Sequence, residues 1–328
     1  MSGQVPAVGF KSFMERHQDV VLQTHDYPDP DAIAAAYGLS VLISTLGGSA
    51  VICHTGAITR AITQEMISIL QIPILPAVLA PGRENSIIVV DGRIRNDNVT
   101  KFPGKYIGEI DHHPGEIDPD GDSWHDVRPH YGSTSSIVGE YWRDLGLPIP
   151  REVATALAIG LNTDTQRLLR GVTGEDIEIY AWLFRHADRE YLQYVLNNNI
   201  ERADFAWFSK AIANLEVQDR FGMTDLGEMD NPALLAIICD FLLTAREINV
   251  MLTLAQSGGR VLLSMRSESP SHAADRIVQQ ITTGIGSGGG HRSMAAGSCQ
   301  FSDNSPPEFV KRLIRERFFG AARFTAHP

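Results

Sequence analysis

The residues able to do chemistry fall in four short clusters. His25-Asp26-Tyr27-Pro28-Asp29-Pro30-Asp31 puts a histidine and alternating carboxylates into a loop stiffened by two prolines. Asp91 stands alone after the apolar run Ser86 to Val90, Asp111-His112-His113 follows Tyr106 to Ile110, and Asp164 closes Asn162-Thr163-Asp164-Thr165. Carboxylates repel one another at close range unless positive charge offsets them. Mixed imidazole and carboxylate ligands suit Mn²⁺, Zn²⁺ or Fe²⁺, whereas all-oxygen sites suit Mg²⁺ or Ca²⁺. Two such ions ~3.5–4 Å apart, bridged by a carboxylate, are a device for hydrolysing phosphate esters, because they generate hydroxide and stabilise charge on the phosphoryl oxygens.

Each residue also has an ordinary explanation. Asp29 or Asp31 suits the N-cap of a helix starting at Ala32, Asp91 before Gly92 suits a turn, and Asp164 suits a cap. His112-His113 alone is weak. Four accidents in order, each at the end of an element, are a poorer account than a shared cation site. A further cluster lies downstream. Gly286 to Gly297, with His291 and Arg292, offers glycine backbone that an anion can approach closely. Arg266, at the end of an apolar run, has the fork geometry to hold a phosphate. The plainer reading is a glycine loop with a solvated histidine. The run is not a GxGxxG opening a first βαβ unit, so dinucleotide binding is poorly supported.

The elements that must position these groups read as an α/β protein. Val20 to Gln23, Val51 to Cys53, Ser86 to Val90 and Tyr106 to Ile110 are continuous apolar strands separated by helical segments, the pattern of a parallel sheet covered on both faces. Ligands bind such sheets at the carboxyl ends of the strands, where the clusters stand. Ser133 to Leu145 and Glu152 to Leu161 are predicted helices. Residues 1–187 are expected to form the parallel-sheet domain, 188–220 a helical connector and 221–328 a smaller α/β domain. Within the last, Ile248 to Ala255 and Arg260 to Arg266 pair through Ser257-Gly258-Gly259, and a helix from Ala273 to Ile281 precedes a glycine loop, Gly284 to His291.

Composition narrows the classes. The 328 residues carry 28 Lys+Arg against 39 Asp+Glu, a net charge of −11. That argues against coating long DNA, which takes a basic excess. Three scattered cysteines, Cys53, Cys239 and Cys299, offer no CxxC motif. With no secretory leader and no apolar run near the ~18 residues of a span, a cytoplasmic protein without membrane partners is expected.

Taken in order, HDYPDPDA, VVDG, DHH, GLNTDT and GGGHRSMAAG resemble the DHH/DHHA1 phosphoesterase family, over roughly Asp19 to Gln300. The length is similar to the stand-alone oligoribonuclease (nanoRNase) and 3′-phosphoadenosine 5′-phosphate phosphatase members. The resemblance implies a catalytic domain holding two Mn²⁺ ions, with Mg²⁺ or Co²⁺ as substitutes, a second domain gripping the substrate, and an active site in the cleft between them. It implies that His25 and Asp29 ligate one ion, Asp31 the other, that Asp91 bridges both, and that His112 and Asp164 complete the second site. Asp111 would orient a histidine, and His113 would lie near the substrate phosphate. Arg266, Gly288, Gly289, Gly290 and His291 would hold the phosphate or terminal nucleotide. Two departures from the family pattern stand out: the acidic segment Glu116 to Asp126, and Tyr131-Gly132 before Ser133-Thr134, where small residues are commoner. The expected reaction is attack of hydroxide on phosphorus in a very short RNA or a nucleoside 3′,5′-bisphosphate. A cyclic dinucleotide, or its linear product pApA, is the alternative substrate. A nucleotide-binding regulatory protein without turnover is the alternative of another class. A homodimer is compatible with all of these.

Overall fold

The computed structural model describes residues 5–58, 60–76, 86–96, 98–115, 123–197, 200–302 and 305–323. The acidic stretch 116–122 therefore lies outside the described residues. The chain packs as two units, residues 1–199 and 200–328.

The first unit runs α1 (Pro6–Met14), β1 (Asp19–Thr24), α2 (Pro30–Thr45), β2 (Ser49–His54), α3 (Ala61–Ile69), β3 (Ile74–Pro76), β4 (Ser86–Val90), β5 (Lys105–Asp111), β6 (Trp124–Val127), α4 (Thr134–Asp144), α5 (Arg151–Asp164), α6 (Gly174–His186) and α7 (Arg189–Asn197). Its six strands are all parallel, in the order β3-β2-β1-β4-β5-β6. The order reverses direction between β1 and β4, and an open parallel sheet has its natural crevice outside the carboxyl ends of the two strands at such a switch point. His25 follows β1 and Asp91 follows β4.

The strand side chains alternate between two unequal layers. Val20, Leu22, Ile88 and Val90 face the main core, built with Ile33, Leu39, Tyr141, Trp142 and Leu157 from the helices. Val21, Cys53 and Ile87 face a small cluster closed by Phe102. The expected cover of helices on both faces is thus replaced, among the described residues, by helices on one face and the segment before β5 on the other. The helical layer is tight. Gly38 of α2 sits so close to α5 that a Cβ would lie 3.0 Å from Leu157, and the Trp142 indole donates to the Gly38 carbonyl at 3.0 Å.

The second unit runs α8 (Phe205–Ala213), β7 (Glu216–Gln218), β8 (Phe221–Glu228), α9 (Leu234–Leu243), β9 (Val250–Ser257), β10 (Arg260–Ser267), α10 (Ala274–Thr282), β11 (Gly286–Gly290), β12 (Met294–Gln300) and α11 (Pro307–Arg323). Its sheet order is β11-β12-β10-β9-β8-β7. Only β8 and β9 pair in parallel; the remaining pairs are antiparallel. α9 covers one face and α10 with α11 the other.

Two sequence expectations change here. Residues 188–220 do not stand apart as a connector: Leu192 and Val195 of α7 join the first core, whereas Ala211 of α8 joins the second unit. The glycine run is not a loop, because Gly286–Gly290 form edge strand β11 against β12. The physical reason is close approach to α10 and β12. A Cβ on Gly288 would come within 2.3 Å of Val278, and one on Gly290, at φ +151°, within 2.4 Å of the Met294 carbonyl. No helix among the described residues is long and apolar enough to cross a membrane.

Candidate metal centre

Asp29 performs the ordinary role and keeps an oxygen for another. Its Oδ1 accepts from the amides of Asp31 at 2.9 Å and Ala32 at 3.2 Å, which caps α2, and Pro30 occupies the first helical position. Its Oδ2 lies 3.7 Å from Arg60 Nη1. Asp31, the second residue of α2, is buried, and both its oxygens receive amides from the start of α4: Thr134 N to Oδ2 at 2.8 Å and Ser135 N to Oδ1 at 3.0 Å. Gly160 of α5 makes room for this contact, since a Cβ there would lie 3.0 Å from Asp31 Oδ1. Asp91 leaves β4 in a left-handed conformation, φ +58°, which Asp tolerates better than most residues.

The histidines are turned by backbone carbonyls. His25 Nδ1 donates to the Asp26 carbonyl at 2.8 Å and aims Nε2 at Asp91 Oδ2, 3.6 Å away. His112 Nδ1 donates to the Tyr131 carbonyl at 3.2 Å. Its Nε2 faces Asp164 Oδ2 at 3.1 Å and Asp91 Oδ1 at 3.7 Å. Anchoring one ring nitrogen on an acceptor and presenting the other is how proteins fix the tautomer of a metal-binding histidine. His113 Nδ1 pairs with Asp111 Oδ1 at 2.8 Å and lies 3.8 Å from Asp91 Oδ1.

Among the described residues three triads result, each with ligand atoms within 4.8 Å of one another: His25, Asp29 and Asp91; Asp31, His112 and Asp164; and Asp91, His112 and His113. The residues expected to hold each ion are therefore brought together, with Asp91 reaching both groups. His113, expected near a phosphate, also comes within reach of Asp91.

The electrostatics fit cations. Burial, with the charges of Asp91 and Asp164, raises the Asp31 carboxyl well above its ordinary value. Burial likewise raises Asp91, though His113 and His112 offset part of the effect. Burial alone would strip His112 of its second proton, but the hydrogen bond and charge of Asp164 outweigh it, so the ring titrates well above the ordinary imidazole. Each shift favours the protonated, more positive form of its group. The donor set of imidazole nitrogens and carboxylates fits borderline divalent ions such as Mn²⁺ or Zn²⁺.

Sequence reasoning missed the supporting residues. Thr134 Oγ1 donates to Asp91 Oδ1 at 2.8 Å, and the α4 amides hold Asp31. The usable signal was the run Gly132-Ser133-Thr134-Ser135-Ser136, an N-cap signature: Ser133 Oγ accepts from Ser136 N at 3.0 Å. The departure at Tyr131-Gly132 also has a structural account. The Tyr131 hydroxyl donates to Glu140, and Gly132 N donates to the Asp176 carboxylate at 2.9 Å.

In the second unit, Arg266 is not presented as an open fork. Nε donates to Asp240 Oδ1 at 2.6 Å and Nη2 to Oδ2 at 3.3 Å, while Nη1 serves Ser264 Oγ and the Met265 carbonyl. Gly288 and Gly290 are needed for packing. Gly289 opens onto free space, and His291, two residues on and half-buried, has its amide on the Met294 carbonyl at 2.7 Å.

The sheet is parallel, and imidazoles and carboxylates that could hold metal ions converge at its switch point. Residues 19–161 match the family described as "DHH family, N-terminal domain", whose members are metal-dependent phosphoesterases, nucleases and phosphatases. The chain is 25% identical over 315 residues to the cyclic-di-AMP phosphodiesterase GdpP of Geobacillus thermodenitrificans, covering 90% of this chain and 46% of that one. In fold it is similar to an exopolyphosphatase-related protein from Bacteroides fragilis, with a TM-score of 0.77, 18% identity and 98% of each chain covered. It is also similar to RecJ from Thermus thermophilus in complex with Mn²⁺, with a TM-score of 0.54, 16% identity, and 95% and 54% of the two chains covered. The chain spans less than two thirds of the length of the curated relatives it matches, from 46% to 64%.

Proposed function

We propose that this chain is a two-ion phosphoesterase acting on very short oligoribonucleotides or a nucleoside 3′,5′-bisphosphate. The observation that carries the reading is the position of Asp91, whose Oδ2 faces His25 and whose Oδ1 faces His112, so that one carboxylate serves both ligand groups. The ligand set of four carboxylates and two imidazoles suits Mn²⁺, the ion held by the RecJ structure. When bound, two such ions activate water and offset charge developing on the phosphoryl oxygens. Asp91, with Asp31 and Asp29, supplies the negative charge that holds them. Asp111 accepts from His113 Nδ1, which leaves delivery of a proton to the departing oxygen to His113 Nε2. Gly289, Gly290 and His291 are the groups proposed to receive the far phosphate or terminal nucleotide.

A cyclic dinucleotide, or its linear product, is the second reading. The relative that favours it is the cyclic-di-AMP phosphodiesterase of Geobacillus thermodenitrificans. The test is hydrolysis with Mn²⁺ of a dinucleotide, a pentanucleotide, 3′-phosphoadenosine 5′-phosphate, cyclic di-AMP and pyrophosphate, compared as kcat/KM. The dinucleotide and bisphosphate should lead. Cleavage of pyrophosphate alone would overturn the nucleotide reading, and binding of nucleotides without hydrolysis would replace the enzyme by a sensor.

A further inference from the structure

Tyr27 stands between the expected ligands His25 and Asp29, two residues from each, with 68% of its surface exposed. Its backbone is left-handed, φ +57°, a conformation rare for a bulky aromatic residue. The surroundings hold it there. Its amide donates to the Thr55 carbonyl at 3.1 Å, and its ring lies over Gly56, where a Cβ would come within 2.7 Å of it. Behind it, Asp26 accepts from the Thr55 hydroxyl and from the Thr100 amide at 3.1 Å and hydroxyl at 2.8 Å. The loop is thus braced to present a flat apolar ring to solvent beside the ligand groups. β1 and β2 are parallel neighbours, so the segments following both share one edge of the sheet. From the second of these comes Arg60, with 52% of its side chain exposed and a single long contact to Asp29.

We propose that Tyr27 is a stacking platform for a nucleobase of the substrate, with Arg60 receiving a flanking phosphate. The inference rests on the phosphoesterase reading above and names its substrate class: a nucleotide with a base and more than one phosphate, rather than pyrophosphate or a polyphosphate. An aromatic ring stacks on any base, and loss of one such contact weakens binding by about 5- to 150-fold. Arginine matches phosphate with a planar fork.

The test uses the full chain and a dinucleotide with 2-aminopurine as its base and a non-hydrolysable methylene linkage. Wild type and Tyr27→Phe should quench its fluorescence on binding. Tyr27→Asn, a residue at ease with positive φ, should bind about 5- to 150-fold more weakly and lose the quench while keeping the wild-type Tm. Arg60→Ala should weaken a 5′-phosphorylated probe more than the same probe without that phosphate. If wild type cleaves nucleotides and Tyr27→Asn matches it in affinity and quench, the platform is wrong and the phosphoesterase reading stands. Equal loss of both probes in Arg60→Ala removes the arginine from the proposal. If wild type neither binds nor cleaves any nucleotide, both fall.

Discussion

The Thr134 hydroxyl donates to Oδ1 of Asp91 at 2.8 Å. The bond ties the first residue of α4 to the carboxylate that serves both ligand groups. The adjoining amides of Thr134 and Ser135 hold Asp31, so one helix start orients two of the expected ligands. Negative side chains are favoured there by the unpaired amides and the helix dipole.

Thr134→Val tests that orientation. The substitution keeps the branched shape and removes the hydroxyl. Support of this kind for a metal ligand is worth about 10- to 100-fold in metal affinity or activity. Titration of the chelator-stripped protein with Mn²⁺ should show weakening in that range with little change in Tm. Unaltered metal affinity would mean that Asp91 needs no such support.

Asp91→Asn should be more severe. Asn accepts the φ of +58° but brings no charge, so both ions should be lost together and turnover abolished. His25→Ala should remove chiefly one. Counting bound metal per chain by elemental analysis separates the cases. Two ions retained in Asp91→Asn would end the bridging assignment.

The fold and the candidate ligands were legible because they obey local rules. Buried parallel strands are continuous apolar runs, and a carboxylate standing just past such a run has few reasons to be there. Asp29 was ambiguous between cap and ligand because its two oxygens divide the work. The rest depended on distant parts of the chain. Nothing near Thr134 says that Asp91 will meet it, since the two are joined only when α4 packs under the sheet edge. The glycines of β11 looked like an anion cradle because absent side chains look alike in sequence. What separates cradle from close packing is Val278, contributed by α10. Arg266 was misleading for the same reason, because its partner Asp240 comes from α9.

Arg266→Ala should therefore act on stability. The buried guanidinium bonds Asp240, Ser264 and the Met265 carbonyl, and its loss leaves buried acceptors unpaired. Because Asp240 is itself partly exposed, the cost should be modest, about 1–3 kcal/mol, read from urea unfolding followed by a probe in the second unit. Asp240→Ala combined with it should add little further. His291→Ala should do the reverse, lowering kcat/KM for nucleotides with unfolding unchanged. A large substrate-specific defect at full stability in Arg266→Ala would restore its phosphate role.

His113 sets a pH dependence that the metal-free protein should reveal. Burial works against its second proton, but the hydrogen bond to Asp111 and the charge of Asp91 outweigh burial and raise the ring to about 9. The unfolded chain returns it to about 6.5. Between these values the folded state holds a proton that the unfolded state has released, so stability falls as pH rises. The contribution is whole below about pH 6.5 and is lost as pH passes through 9. His113→Gln lacks it. In chelator-treated protein, the wild-type Tm should exceed that of His113→Gln at pH 6 and the two should converge near the upper value. Parallel Tm curves across that window would show that the pairing with Asp111 contributes nothing to the fold, and would leave His113 free to be judged on catalysis alone.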